Sequence, residues 1–208
     1  MKIVFLSDTH QRHHDVDIPN GDILIHAGDF SSRGTVQEVT DFLNWFSKQP
    51  HKYKIFIAGN HDFFFERERE ETIRKIIPKN LIYLNDSGIT IENIRIWGSP
   101  VQPEFLNWAF NRERGEEIKK HWNLIPKDTN LLITHGPPEG ILDKTIRGKS
   151  VGCLDLLNRV NNIQPKIHVF GHIHEAYGVY KTANTTFINA SILNERYRNT
   201  NDAVVVDW

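Results

Sequence analysis

The sequence has little with which to build covalent or membrane-bound structure. It holds one cysteine, Cys153, in 208 residues. A single cysteine excludes an intrachain disulfide and fits a reducing compartment. Placed at the start of a helical stretch, it reads as a small packing residue rather than a nucleophile. No run approaches the roughly 18–20 apolar residues of a membrane helix. The four apolar residues 3–6 are too few for the core of a secretory leader. An excess of one charge is also missing: 25 Lys and Arg stand against 26 Asp and Glu, a formal net charge of −1. That balance gives no electrostatic case for duplex nucleic acid or for an anionic membrane. Internal repeats, low-complexity tracts and linkers are lacking as well. The expectation is a soluble, cytoplasmic protein whose residues 1–208 form one domain with a sizeable core.

What is present is one arrangement, repeated. Five apolar runs end in residue types that ligate metals. Residues 3–6 exit into Ser7-Asp8-Thr9-His10, 23–27 into Gly28-Asp29-Phe30, and 53–58 into Gly59-Asn60-His61-Asp62. Residues 131–133 exit into Thr134-His135-Gly136-Pro137-Pro138, and 167–170 into Gly171-His172-Ile173-His174. Continuous apolar runs predict strands buried on both faces, and α/β proteins bind ligands at the carboxyl ends of such strands. In an extended chain residues i and i+2 face the same side. Asp8 with His10, and His172 with His174, are therefore expected to enter a site as pairs. His26 lies inside its run and reads as a core histidine or as one that supports the ligands from behind; His13 and His14 read as solvated.

Between the runs, Thr35 looks like a helix N-cap for an apolar stripe of Val36, Val39, Phe42, Leu43 and Phe46. Further helices are predicted from residue 66, over 113–122 and over 151–160. Residues 88–91 and 93–97 read as a hairpin, so the sheet content is not all parallel. Further strands are expected at 185–188 and 203–206. The aromatic stretch 98–111 either covers the site or buttresses the core.

Two Asp, one Asn and four His exceed the three or four ligands of one tetrahedral zinc. Mixed nitrogen and oxygen ligation suits Mn, Fe, Zn, Co or Ni rather than Ca or Mg alone. Asp29 is the natural bridge, since a carboxylate spans two cations about 3.5–4 Å apart. Two divalent ions outweigh two carboxylates and a hydroxide by about one positive charge, which attracts a phosphate ester. The metals turn bound water into a hydroxide nucleophile near neutral pH and stabilise charge on the phosphoryl oxygens. His61, next to a ligand, is the candidate general acid. Asp62 either orients the site or serves only as a turn residue.

On Asp8-Thr9-His10, Gly28-Asp29, Gly59-Asn60-His61-Asp62, Thr134-His135-Gly136 and Gly171-His172-Ile173-His174, the sequence resembles the calcineurin-like metallophosphoesterase superfamily. Residues 98–103 and 108–111, with His135-Gly136-Pro137-Pro138 and Glu175, look further like its metallophosphoesterase-domain-containing branch, which is similar to small cyclic-nucleotide phosphodiesterases. The resemblance implies an α/β, four-layer α/β/β/α sandwich of two mixed sheets flanked by helices, the metallo-dependent phosphatase fold. It implies two divalent transition-metal ions, manganese favoured. One would be held by Asp8, His10, Asp29 and His174, the other by Asp29, Asn60, His135 and His172. It implies substrate contacts from Asn60, His61 and Arg33, with Arg147 a weaker candidate. Some members of the branch lack the first histidine of Gly-His-x-His and are weak enzymes; His172 is present, so catalytic competence is expected. Ser32 stands where protein phosphatases carry a second Asp, which argues against that activity. The expected function is a dinuclear phosphodiesterase acting on a small phosphate ester, cyclic nucleotides included. A phosphomonoesterase and a catalytically weak metal-binding scaffold are the alternatives. Related small phosphodiesterases are often dimers, and a homodimer is expected on that ground alone.

Overall fold

Each apolar run becomes a strand covered on both faces. In the computed structural model, which describes residues 1–208, the chain runs through β1 (Lys2–Leu6), β2 (Ile23–His26), α1 (Val36–Ser47), β3 (Tyr53–Phe56), α2 (Phe64–Arg67), α3 (Glu70–Ile76) and β4 (Ile82–Tyr83). A middle segment follows: β5 (Ser87–Ile91), β6 (Ile94–Ser99), β7 (Gln102–Pro103), β8 (Asn111–Arg112) and α4 (Glu116–Trp122). The last third is β9 (Leu131–Thr134), α5 (Leu154–Ile163), β10 (Ile167–Phe170), β11 (Gly178–Lys181), β12 (Thr186–Asn189) and β13 (Val204–Asp207).

The strands form two mixed sheets, ordered β13-β1-β2-β3-β4 and β11-β12-β10-β9-β6-β5, with β7 and β8 as a separate short pair. Only edge strands are antiparallel: β13 on β1, β11 on β12 and β5 on β6. Alternation along the strands builds the layers. Ile3, Phe5, Ile23 and Ile25 face Leu131, Ile133, Ile167 and Val169 between the sheets. Their neighbours Val4, Leu6 and Leu24 pack under Val39, Phe42 and Phe46 of α1. On the far side, Leu132, Phe170 and Phe187 meet Ile118 and Trp122 of α4 and Leu156 and Val160 of α5. The order is helix, sheet, sheet, helix, as the resemblance implied. Burying one such large apolar side chain contributes roughly 1.5–3 kcal/mol, so the three layers of contact dominate the stability.

Local signals set the element ends. Thr35 caps α1 in a capping box closed by Glu38. Glu92 and Asn93 take positive φ of 47° and 65°, as a two-residue turn between β5 and β6 requires. The helix expected from residue 66 is two short helices. The one expected from residue 151 begins at Leu154, because Asp143 holds Val151 by its carbonyl and Gly152 by its carboxylate in extended chain. Cys153 then caps α5 through Sγ, which accepts from the Leu156 N–H. β11 has no counterpart in the sequence reading; it is an edge strand whose Val179 and Tyr180 lie exposed.

At one end of the sandwich the sheets are stitched together by a bridge between Ser7, after β1, and Ser191, after β12. All five ligand-bearing loops leave their strands at that end.

Candidate metal centre

The loops reach the site by sharp, left-handed turns. Asp8, His10, Asp29 and His172 have φ of 54°, 39°, 56° and 68°. Such φ costs non-glycine residues of order 1–3 kcal/mol each and collects at functional sites. The turns also correct the extended-chain expectation. His172 and His174 do not point together: the His172 ring packs at 5.0 Å from His135, and the His174 ring at 5.2 Å from His10. The pair is split between two neighbouring clusters, Asp8/His10/His174 and Asp29/His135/His172.

Two glycines make the approach feasible. A Cβ on Gly171 would overlap the Asp8 carboxylate and the Ser7 hydroxyl, and one on Gly59 would overlap Asp29 and sit 2.7 Å from His135 Cε1.

Backbone carbonyls fix the imidazoles. Nδ1 of His10 lies 3.2 Å from Ser31 O, Nδ1 of His135 3.0 Å from Ala27 O, and Nδ1 of His174 3.0 Å from Asn194 O. A carbonyl only accepts, so each Nδ1 donates and each Nε2 of a neutral ring presents a lone pair. These lone pairs converge on other acceptors. His10 Nε2 faces His174 Nε2 at 3.3 Å. His135 Nε2 is 2.9 Å from Asn60 Oδ1 and 3.3 Å from Asp29 Oδ2. His174 Nε2 is 3.5 Å from Asp8 Oδ1, and His10 Nε2 is 3.8 Å from Asp29 Oδ2. Acceptors aimed at one another need a proton or a metal ion among them. Donors about 2.0–2.2 Å from one ion stand about 3.3–3.6 Å apart at tetrahedral angles, close to most of these separations. The donor set fits two transition-metal ions, with Asp29 Oδ2 placed between the clusters.

The electrostatics point the same way. Burial pushes the Asp8 and Asp29 carboxyls up, but His174 beside Asp8 and His135 beside Asp29 outweigh it and hold both well below the usual range. Burial pushes His135 and His174 down, yet Asp29 and Asp8 respectively raise them to about 9. Burial leaves His10 and His172 at about 4. The cage is built for cationic charge.

His61 and Asn60 line an adjoining cavity of about 480 Å³, together with Phe105, Trp108, Ile146 and Tyr197. The His61 ring stacks on Trp108 at 4.2 Å, and its Nδ1 lies 2.8 Å from Ser32 O. The 98–111 stretch does both things expected of it: Phe105 and Trp108 stand on the cavity wall, and Val101, Ala109 and Phe110 pack in the core. Asp62 does not line the cavity. It is fully buried and accepts from the N–H groups of Asp29, Ser31 and Gly59 and from the Ser31 hydroxyl, at 2.6–3.0 Å. Burial and Asp29 push its pKa up to about 7, while the three backbone N–H groups and the Ser31 hydroxyl favour the carboxylate. Asp62 thus works beneath the site, fixing the Asp29 and Asn60 turns. Arg33 is exposed, gives its backbone N–H to Glu38 and does not line the cavity; Arg147 is exposed too. Tyr197, which no sequence pattern marked, sits at 5.0 Å from His10 and 5.1 Å from His174, ring to ring. His13, read as solvated, is buried against Phe42 and Trp45.

Comparison with known proteins bears on the family and the fold. The family profile described as calcineurin-like phosphoesterase matches residues 1–176. Metallophosphoesterase domain-containing protein 1 of Homo sapiens is 43% identical over 229 aligned residues, which cover 99% of this chain and 70% of that protein. A UPF0046 protein of Caenorhabditis elegans is 42% identical over 207 residues, covering 94% and 71%. A crystal structure at 14% identity superposes with a TM-score of 0.69 over 90% of this chain and 89% of its own, a likeness of fold.

Proposed function

The chain belongs to the calcineurin-like phosphoesterase family, and from that premise we propose that it hydrolyses small phosphate diesters at a dinuclear centre. Asp8, His10, Asp29 and His174 hold one ion in this reading; Asp29, Asn60, His135 and His172 hold the other. When bound, the two ions supply an activated water and neutralise charge on the phosphoryl oxygens. The rest falls to side chains. Asn60 and His61 line the cavity and meet the phosphate there. His61, its Nδ1–H spent on Ser32 O, carries its second proton on Nε2 and delivers it to the departing oxygen. Trp108 keeps that ring in place from its other face.

The observation that favours a diester is the charge of the cavity wall. It bears Glu175 and Glu195 and no lysine or arginine. A monoester brings up to two negative charges and a diester one, so the wall disfavours the monoester. Phe105, Trp108 and Tyr197 suit a planar or apolar ester group, as in a cyclic nucleotide. The test is hydrolysis of bis(p-nitrophenyl) phosphate against p-nitrophenyl phosphate by manganese-loaded protein. The diester is expected to have the higher kcat/KM. Preference for the monoester makes the protein a phosphomonoesterase, and turnover of neither with two ions bound makes it a scaffold.

A further inference from the structure

A second convergence of histidine and carboxylate lies outside the centre, on the face of α1. His13 and His14 occupy a short 3₁₀ turn, His13–Asp15, that follows the loop carrying Asp8 and His10. Both aim Nε2 at one side chain, Asp41 of α1: His13 Nε2 is 3.0 Å from Oδ2, and His14 Nε2 is 3.2 Å from the same oxygen and 3.3 Å from Oδ1. The two rings are 4.5 Å apart, and all three ligand atoms fall within 4.8 Å of one another. We propose that His13, His14 and Asp41 form a peripheral site for a borderline divalent ion such as zinc, with the remaining coordination position left to water.

Three features carry this. The His–Asp separations of 3.0–3.3 Å fall just inside the edge of about 3.3–3.6 Å of a zinc tetrahedron with bonds of about 2.0–2.2 Å, so small shifts seat an ion. The same spacing recurs at the central cage. His13 is pre-positioned: its ring is wedged 5.0 Å from Trp45 and 5.7 Å from Phe42, so ligation orders little that is not already ordered. In the metal-free protein Asp41 accepts from the His13 Nε2–H, and an ion that takes Nε2 moves that proton to Nδ1, which is buried and has no other partner. Burial, with His14 beside it, pushes His13 down to about 4, so the ring is a neutral ligand at neutral pH. The other two ligands are open to solvent, His14 being 58% and Asp41 54% exposed at the side chain, which gives an ion its entry path and its water. An ion here pins the 13–15 turn to α1, just downstream of His10.

The test is zinc equilibrium dialysis of the metal-stripped full chain, with bound metal counted by mass spectrometry, for wild type, His14→Gln and Asp41→Asn. Both altered side chains are exposed, so the fold is not at stake. The wild type is expected to hold about three zinc ions and each variant about two, with the manganese-dependent hydrolysis of His14→Gln unchanged. Equal zinc counts in wild type and His14→Gln overturn the proposal and leave the three side chains as a hydrogen-bonded cluster. One zinc in the wild type and none in His14→Gln upholds the peripheral site while removing the dinuclear centre.

Discussion

His10 and His174 face each other Nε2 to Nε2 across 3.3 Å, although 164 residues separate them in sequence. Each has committed its Nδ1–H to a carbonyl, His10 to Ser31 and His174 to Asn194. With both rings neutral the two lone pairs repel, and either a proton on His174, which Asp8 raises to about 9, or a metal ion between the rings removes that repulsion. The same holds for His135 against Asn60 and Asp29. Ion binding thereby offsets the left-handed turns at Asp8, His10, Asp29 and His172, and the strain and the ligands belong to one design.

His61 lines the cavity beside the cage, its ring 4.7 Å from His10 and its Nδ1 held by Ser32 O, and it lies outside the proposed ligand set. His61→Ala is expected to retain both ions and to lower kcat by roughly 10²- to 10⁴-fold. Metal analysis beside steady-state kinetics reads both quantities; an unchanged kcat takes His61 out of the proton transfer.

Gly171 has no room for a side chain against Asp8 and Ser7. Gly171→Ala is expected to displace Asp8 and lower metal occupancy at the His10/His174 side, while the sandwich still unfolds cooperatively. Full metal retention by the purified variant contradicts the close approach.

Asp62 gathers four donors in the interior. Asp62→Asn turns one accepting oxygen into a donor facing donors, at an expected cost of about 3 kcal/mol in urea unfolding of the metal-free protein. A loss below about 1 kcal/mol shows that the turns hold without it.

His168 on β10 is fully buried, with Nε2 at 2.9 Å from Thr134 Oγ1 and no partner for Nδ1. Burial lowers its pKa from 6.5 to about 3. Below pH 6.5 the unfolded chain takes up a proton that the folded chain refuses. Its contribution is therefore intact above 6.5 and is lost at roughly 1.4 kcal/mol per pH unit on acidification toward 3. His168→Phe is expected to flatten the stability curve of the metal-free protein by that slope. Parallel wild-type and variant curves between pH 6 and 4 refute it.

Much of this centre was legible because each ligand follows a continuous apolar run, and such runs fix strand ends whatever their neighbours. The i, i+2 pairing does not describe how these residues meet: Asp8, His10 and His172 sit in left-handed turns, and His172 and His174 belong to different clusters. His13 looked like a loop residue because its burial comes from Phe42 and Trp45 on a helix the sequence places later. Asp62 could not be assigned, since the amides of Asp29 and Ser31 that occupy it lie 31 to 33 residues upstream. Asn194 acts through a carbonyl, which every residue possesses, and Tyr197 approaches from a loop with no pattern of its own.

The most direct measurement is anomalous diffraction at the manganese edge from crystals grown with manganese. The account predicts two peaks about 3.5–4 Å apart on either side of Asp29 Oδ2, one among Asp8, His10 and His174, the other among Asn60, His135 and His172. A single peak, or two peaks of which one lies beyond bonding distance of Asp29, contradicts it.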